Sequence, residues 1–108
     1  MRLRSLISDT VIIIEKLKQK LYTAQKEKDA FMLSVLRYLL AGVKNREIEI
    51  RVLHREMNDS DVMGVINSQI LQRKDSIENY KMAKRQDLVD KESAELKILE
   101  DLLLEFGK

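Results

Sequence analysis

Apolar residues recur every three or four positions along almost the whole of this 108-residue chain, and no proline interrupts them. That period belongs to an α-helix with one buried face rather than to a strand, where apolar and polar residues alternate. A chain patterned this way buries its stripes by packing helix on helix. Its length is enough for one modest core and not for two. The expectation is an all-α, four-helix bundle-like domain over residues 1–108, with a long antiparallel hairpin of the third and fourth helices.

That hairpin, from Asn58 to Phe106, carries the most informative residues. On a helical period Val62, Ile66, Ile70, Ile77 and Tyr80 form one stripe, and Arg73 falls within about 20° of its centre. On the following segment Leu88, Leu96, Leu99 and Leu103 form a stripe whose gap is filled by Glu92 and Glu95. If the chain turns near Gln86, Arg73 stands level with Glu95 and Tyr80 level with Glu92. A structural ion pair joining Arg73 to these carboxylates is the natural inference. Two carboxylates three apart on one helix face also suit an acid/base pair or half of a metal site, the competing reading.

The remaining elements follow from cap signals. Arg2 and Arg4 stand beside Leu3, Leu6 and Ile7, and these leading residues either extend the first helix or fray. Asp9 is a reasonable N-cap for a helix with Ile7 leading in and Val11, Ile14, Leu17, Leu21 and Ala24 as its seam. Asp29 caps a second helix carrying Phe31, Met32, Val35, Leu36, Leu39, Leu40, Val43 and Ile50. Gly42 lies on its apolar side at a cost of about 1 kcal/mol against alanine, so another helix is expected to cross closely there. Asn58-Asp59-Ser60-Asp61 starts a third helix that runs to about Lys84. Arg85-Gln86 turns the chain, Asp87 starts a fourth helix, and Gly107 ends it.

Several classes of function are excluded by what the chain lacks. It has no cysteine and one histidine, so neither a disulfide framework nor a His-based zinc site is available. The longest apolar run, Val11-Ile12-Ile13-Ile14, is far too short to span a bilayer. No glycine-rich phosphate loop or nucleophile motif occurs, and His54 reads as a solvated surface residue. No metal, cofactor or membrane is therefore expected, and the compartment is the cytosol or an organelle matrix. With 20 basic and 18 acidic residues the net charge is +2, which by itself demands no nucleic-acid partner.

Local arrangement is more suggestive. Arg37, Lys44, Arg51 and Arg55 recur at spacings of seven, seven and four, a basic row along the second helix with Ala41 and Ile48 rather than acids as neighbours. Cations without local counter-charges suit phosphates, and each such contact makes binding fall with salt. Cover by acids from the third or fourth helix is the alternative. A second basic group, Lys74, Lys81, Lys84 and Arg85, has Asp75, Glu78 and Asp87 close by.

Five segments together resemble the GatB/YqeY family in order and spacing. They are Ser34-Val35-Leu36-Arg37, Val43-Lys44-Asn45, Gln72-Arg73-Lys74-Asp75-Ser76-Ile77, Arg85-Gln86-Asp87-Leu88-Val89, and Lys91-Glu92 with Glu95-Leu96 and Ile98-Leu99. The match covers about Leu17 to Leu103. The resemblance implies the N-terminal helical half of YqeY-like proteins, similar to the helical domain of the B subunit of glutamine-dependent tRNA amidotransferase. It also implies an aminoacyl-tRNA link and the family-level activity of a carbon-nitrogen ligase with glutamine as amido donor. Arg37, Lys44, Arg73, Lys74 and Arg85 fall on family motif positions.

Family members continue past the fourth-helix leucines into a tyrosine-leucine-proline turn and a small tail domain. Here the chain reads Leu102-Leu103-Leu104-Glu105-Phe106-Gly107-Lys108, so the tail is expected to be absent. In the amidotransferase, the resemblance implies, amide transfer belongs to other domains or subunits. The expectation is a non-catalytic module. As a tRNA-associated accessory it would touch backbone with Arg37, Lys44, Arg51, Arg55, Lys74 and Arg85, without reading bases, since three Tyr and two Phe are the only aromatics. As a protein-interaction module it would dock Leu102, Leu103, Leu104 and Phe106 on an amidotransferase subunit or on a second copy.

Overall fold

Asp29 begins the second helix as its position ahead of an apolar run predicts: its Oδ1 accepts the backbone N–H of Met32 at 3.0 Å. A computed structural model describes the backbone of residues 2–107 and the side chains of residues 12–107. The described residues form four helices and no strand: α1 (Arg2–Lys26), α2 (Ala30–Val52), α3 (Asp59–Met82) and α4 (Gln86–Phe106). None of these is long and apolar enough to cross a membrane. The fold class is all-α, as the periodicity requires.

Asp9 does not cap the first helix. α1 already runs from Arg2, so the leading residues extend it. Leu3, Ile7 and Val11 continue the 3-4 spacing backward, which carries the helical pattern through Asp9. The side chains of Ile7 and Val11 lie outside the described residues. At the other turn α4 begins at Gln86, one residue before Asp87, and Arg85 stands at the cap position without a side-chain cap bond.

The three turns share one device. In each, a non-glycine residue adopts positive φ just after a helix: Lys28 at 57°, His54 at 58° and Lys84 at 59°. The next N–H reaches back to close the helix end, Asp29 to the Ala24 carbonyl at 2.9 Å, Arg55 to Ile50 at 3.4 Å and Arg85 to Tyr80 at 2.9 Å. Glycine is the usual occupant of this left-handed position. Here two lysines and a histidine take it, and the charge of the two lysines at a helix C-terminus recovers part of the cost through the helix dipole. Gly107, by contrast, closes α4 at φ −81°, so its freedom to take positive φ is unused.

The chain divides into two compact units, one up to Val65 and one from Ile66 onward, with the boundary inside α3. In the first unit α1 packs against α2. Its buried residues are Ile13, Leu17 and Ala24 on α1, Val35, Leu36, Leu39, Val43 and Ile50 on α2, and Val62 and Val65 at the start of α3. Gly42 is half-buried within α2.

Gly64 is different, because it stands exposed inside α3 with no positive φ and nothing within 4 Å of where a Cβ would sit. Gly64→Ala should therefore stabilise the chain by about 1 kcal/mol through helix propensity alone. Urea titration of the two proteins reads the difference, and an unchanged or lowered midpoint refutes it.

In the second unit α4 returns along α3 after a turn at residues 83–85. Ile66, Ile70, Val89, Leu99 and Leu102 are buried there, and so are the polar side chains Gln69, Glu92 and Glu95. The α4 stripe is rotated slightly from the expected one. Val89 and Leu102 are buried, whereas Leu88, Leu96 and Leu103 are only half-buried, so the two glutamates lie at the middle of the buried face.

Candidate functional site

The buried charges of the second unit form one network. Arg73 reaches both carboxylates at once: its Nη1 donates to Oε1 of Glu95 at 3.1 Å, and its Nε lies 3.1 Å from Oε1 of Glu92. The second contact is close but off the N–H axis, so it is a charge contact rather than an aligned hydrogen bond. Lys91, one turn away on α4, donates its Nζ to the other oxygen of Glu95 at 3.1 Å and stands 3.9 Å from Oε2 of Glu92. The two glutamate side chains are 9% exposed, Arg73 22% and Lys91 55%. Two cations thus balance two carboxylates, and the lysine brings its charge in from solvent. Sequence reasoning joined Arg73 to Glu92 and Glu95 and missed Lys91, although its place four residues before Glu95 was a readable signal.

The basic row does not continue as one line. Arg37, Lys44 and Arg51 are exposed on α2. Arg55 lies beyond the end of that helix, in the loop before α3. There it grips Asp61 with both arms, Nη1 to Oδ2 at 2.9 Å and Nη2 to Oδ1 at 3.0 Å, and its Nη1 also donates to the Glu56 carbonyl. The hydrogen bond from Arg55 holds the Asp61 carboxyl at about 2, below the usual carboxylate range. The same pair raises the pKa of Arg55.

Asp61 also completes a reciprocal cap. Its Oδ2 accepts the Asn58 N–H at 2.9 Å, while Asn58 Oδ1 accepts the Asp61 N–H at 3.1 Å. Arg46 on α2 adds a longer contact to Asp61 at 3.9 Å. Arg55 is therefore tied into the start of α3.

An acid does stand among the other three cations, and it comes from α2 itself rather than from α3 or α4. Glu47 lies 3.6 Å from Lys44 and 4.0 Å from Arg51. Both lysine and arginine remain about two-thirds exposed, at 66% and 69%. Arg37 carries no ion pair among the described residues. The spacings of three and four that place Glu47 between its neighbours were legible in the sequence.

In the second unit Arg85 is taken up locally, with Nε and Nη2 on the two oxygens of Asp87 at 3.1 and 2.9 Å. That pairing lowers the pKa of Asp87 and raises that of Arg85. Lys74 is exposed and makes no ion pair among the described residues. The leucine patch at the end of α4 is smaller than its sequence suggests, because Leu102 is 5% exposed and belongs to the core, leaving Leu104 at 69%. No group of three or more His, Cys, Asp or Glu side chains among the described residues is arranged to hold a metal ion.

The family model for YqeY-like proteins matches residues 14–105. The chain belongs to the YqeY-like family. Among known proteins it is similar to the "Altered inheritance of mitochondria protein 41, mitochondrial" of Kluyveromyces lactis, 39% identical over 88 residues, which is 82% of this chain and 46% of that protein. The proteins of the same name from Lachancea thermotolerans and Saccharomyces cerevisiae (strain YJM789) are each 33% identical, over 83% and 80% of this chain and 47% and 45% of their own lengths. The chain thus spans slightly under half the length of these YqeY-like relatives. Its Arg73, Glu92 and Glu95 network and the α2 cations both lie inside the matched region.

Proposed function

We propose that this YqeY-like chain is a non-catalytic, tRNA-associated module of the kind that the family's resemblance to the amidotransferase helical domain implies. The observation that supports this most is the set Arg37, Lys44 and Arg51, three exposed cations seven residues apart on one edge of α2. Successive members stand about 10 Å apart along the axis. Glu47 does not withhold them from a phosphate, because exposed ion pairs of this length are worth less than about 1 kcal/mol. The relatives' names carry the word mitochondrial, and the matrix of that organelle is the compartment this reading assigns.

In this reading α2 touches the RNA backbone and reads no base. Lys74, exposed on α3, contributes a further phosphate contact. Arg55 and Arg85, each clamped by an aspartate, contribute little.

The test is binding of total tRNA to the purified chain by fluorescence anisotropy across a salt series. Micromolar affinity is expected, with log affinity falling by about 2 to 3 per log unit of salt for three or four phosphate contacts. Arg37→Glu/Lys44→Glu/Arg51→Glu should weaken it at least thirtyfold. Absence of binding at low salt, or equal binding by the reversed-charge protein, would overturn the reading.

A further inference from the structure

A surface helix in a small domain needs one apolar stripe, and α2 has two. Val35, Leu36, Leu39, Val43 and Ile50 face the core. About 180° around the helix, Tyr38, Ala41, Asn45, Ile48 and Val52 recur at spacings of three, four, three and four, and all five are exposed. Tyr38 is 54% exposed, Ile48 47% and Val52 72%, and Leu53 extends the patch past the helix end at 63%. In a heptad these are the alternating seam positions, with Asn45 as the single polar residue among them. Arg37, Lys44 and Arg51 each precede a seam residue by one, which places all three along one flank of the seam.

We infer that this outer face of α2 is the docking site for an acidic amphipathic helix of another protein, with apolar residues in the seam and carboxylates along the edge that meets Arg37, Lys44 and Arg51. The inference goes beyond tRNA contact, since a phosphate backbone gains nothing from covering Ile48 and Val52, and only Tyr38 offers a surface on which a base could stack. A second copy of the chain fits poorly. Placed antiparallel it sets the two basic flanks against each other, and placed parallel it offers Lys44 only Glu49, which already pairs with Arg46 at 2.9 Å. Over the 15 residues from Tyr38 to Val52 the seam is about 21 Å long, the length of four helical turns.

The probe is a fluorescein-labelled synthetic peptide of three heptads with Leu at the seam positions and Glu on both flanks, which keep it from pairing with itself. A control peptide carries Lys on both flanks. Micromolar binding of the Glu peptide and at least tenfold weaker binding of the Lys peptide are expected.

Ile48→Ser/Val52→Ser should weaken the Glu peptide at least tenfold while leaving tRNA binding within twofold. Lys44→Glu/Arg51→Glu should weaken both ligands. The two readings therefore fail separately. Failure of the Glu peptide to bind at hundreds of micromolar overturns this one, as does equal binding of the two peptides. Concentration-dependent self-association that Ile48→Ser/Val52→Ser removes also overturns it, in favour of a second copy. If the same double variant instead abolishes binding to phosphatidylglycerol vesicles, and the peptide is never bound, the face is a lipid surface.

Discussion

Arg73→Met is expected to lower stability by about 3 kcal/mol, because it strips the inner cation from two carboxylates that the fold keeps 9% exposed. Spread over a chain of this size, that is roughly 15 °C in Tm. Lys91 limits the damage, since it stays 3.1 Å from Glu95, but it is 3.9 Å from Glu92 and more than half exposed. Glu92 is thus the carboxylate left worst off. The rescue follows from the same physics: Arg73→Met/Glu92→Leu/Glu95→Leu should regain most of the loss, because well-packed apolar side chains replace a buried ion network at little or no cost. Thermal and urea unfolding of the single, double and triple variants form a mutant cycle that reads the coupling directly. Additive effects along that cycle would show that Arg73 contributes packing alone. An acid/base or metal role for Glu92 and Glu95 makes a different forecast, since the triple variant would then be stable and inactive.

The sequence carried most of this architecture because the helices are long and their stripes regular. Asp29, the Asn58 to Asp61 cluster and the absence of proline marked where helices start, and the observed starts of α2 and α3 lie at these signals. Asp9 misled because aspartate caps a helix only where the pattern before it stops, and Leu3 and Ile7 carry the pattern on. The Arg73 network was visible as charges falling on apolar stripes. What periodicity cannot supply is the distance at which side chains meet, so the lengths of the two Arg73 contacts and the reach of Lys91 to Glu92 emerged only with the fold.

The row on α2 departs from its reading at one member only. Spacing of seven, seven and four was read as one line, but a helix end between Arg51 and Arg55 breaks it, and such ends are the least certain part of any pattern. The second seam on α2 was hidden because Tyr38, Ala41, Asn45, Ile48 and Val52 are a weak stripe beside the strong one. Burial of the strong stripe is what makes the weak one a surface feature.

Asp61→Ala is expected to cost about 2 kcal/mol at neutral pH. Roughly 1 kcal/mol of this is the lost half of the reciprocal cap with Asn58, and the remainder is the two-armed hydrogen bond from Arg55, discounted because that guanidinium is 42% exposed. The pH dependence identifies the charge as the cause. In the unfolded chain an aspartate titrates near 3.9, whereas Asp61 in the fold titrates at about 2. The folded state therefore favours the ionised form, its contribution is complete above about pH 4, and it is lost as pH falls toward 2. The gap between the native chain and Asp61→Ala should accordingly be constant from pH 7 to 5 and shrink between pH 4 and 2. Urea titrations of both proteins across that range measure it, and the other carboxylates titrate alike in the two, so the difference isolates Asp61. A gap that holds its size down to pH 2 would mean that packing, not the carboxylate charge, ties the loop after α2 to the start of α3. Arg55→Ala should then leave the urea midpoint unchanged, where the charge account expects it to fall.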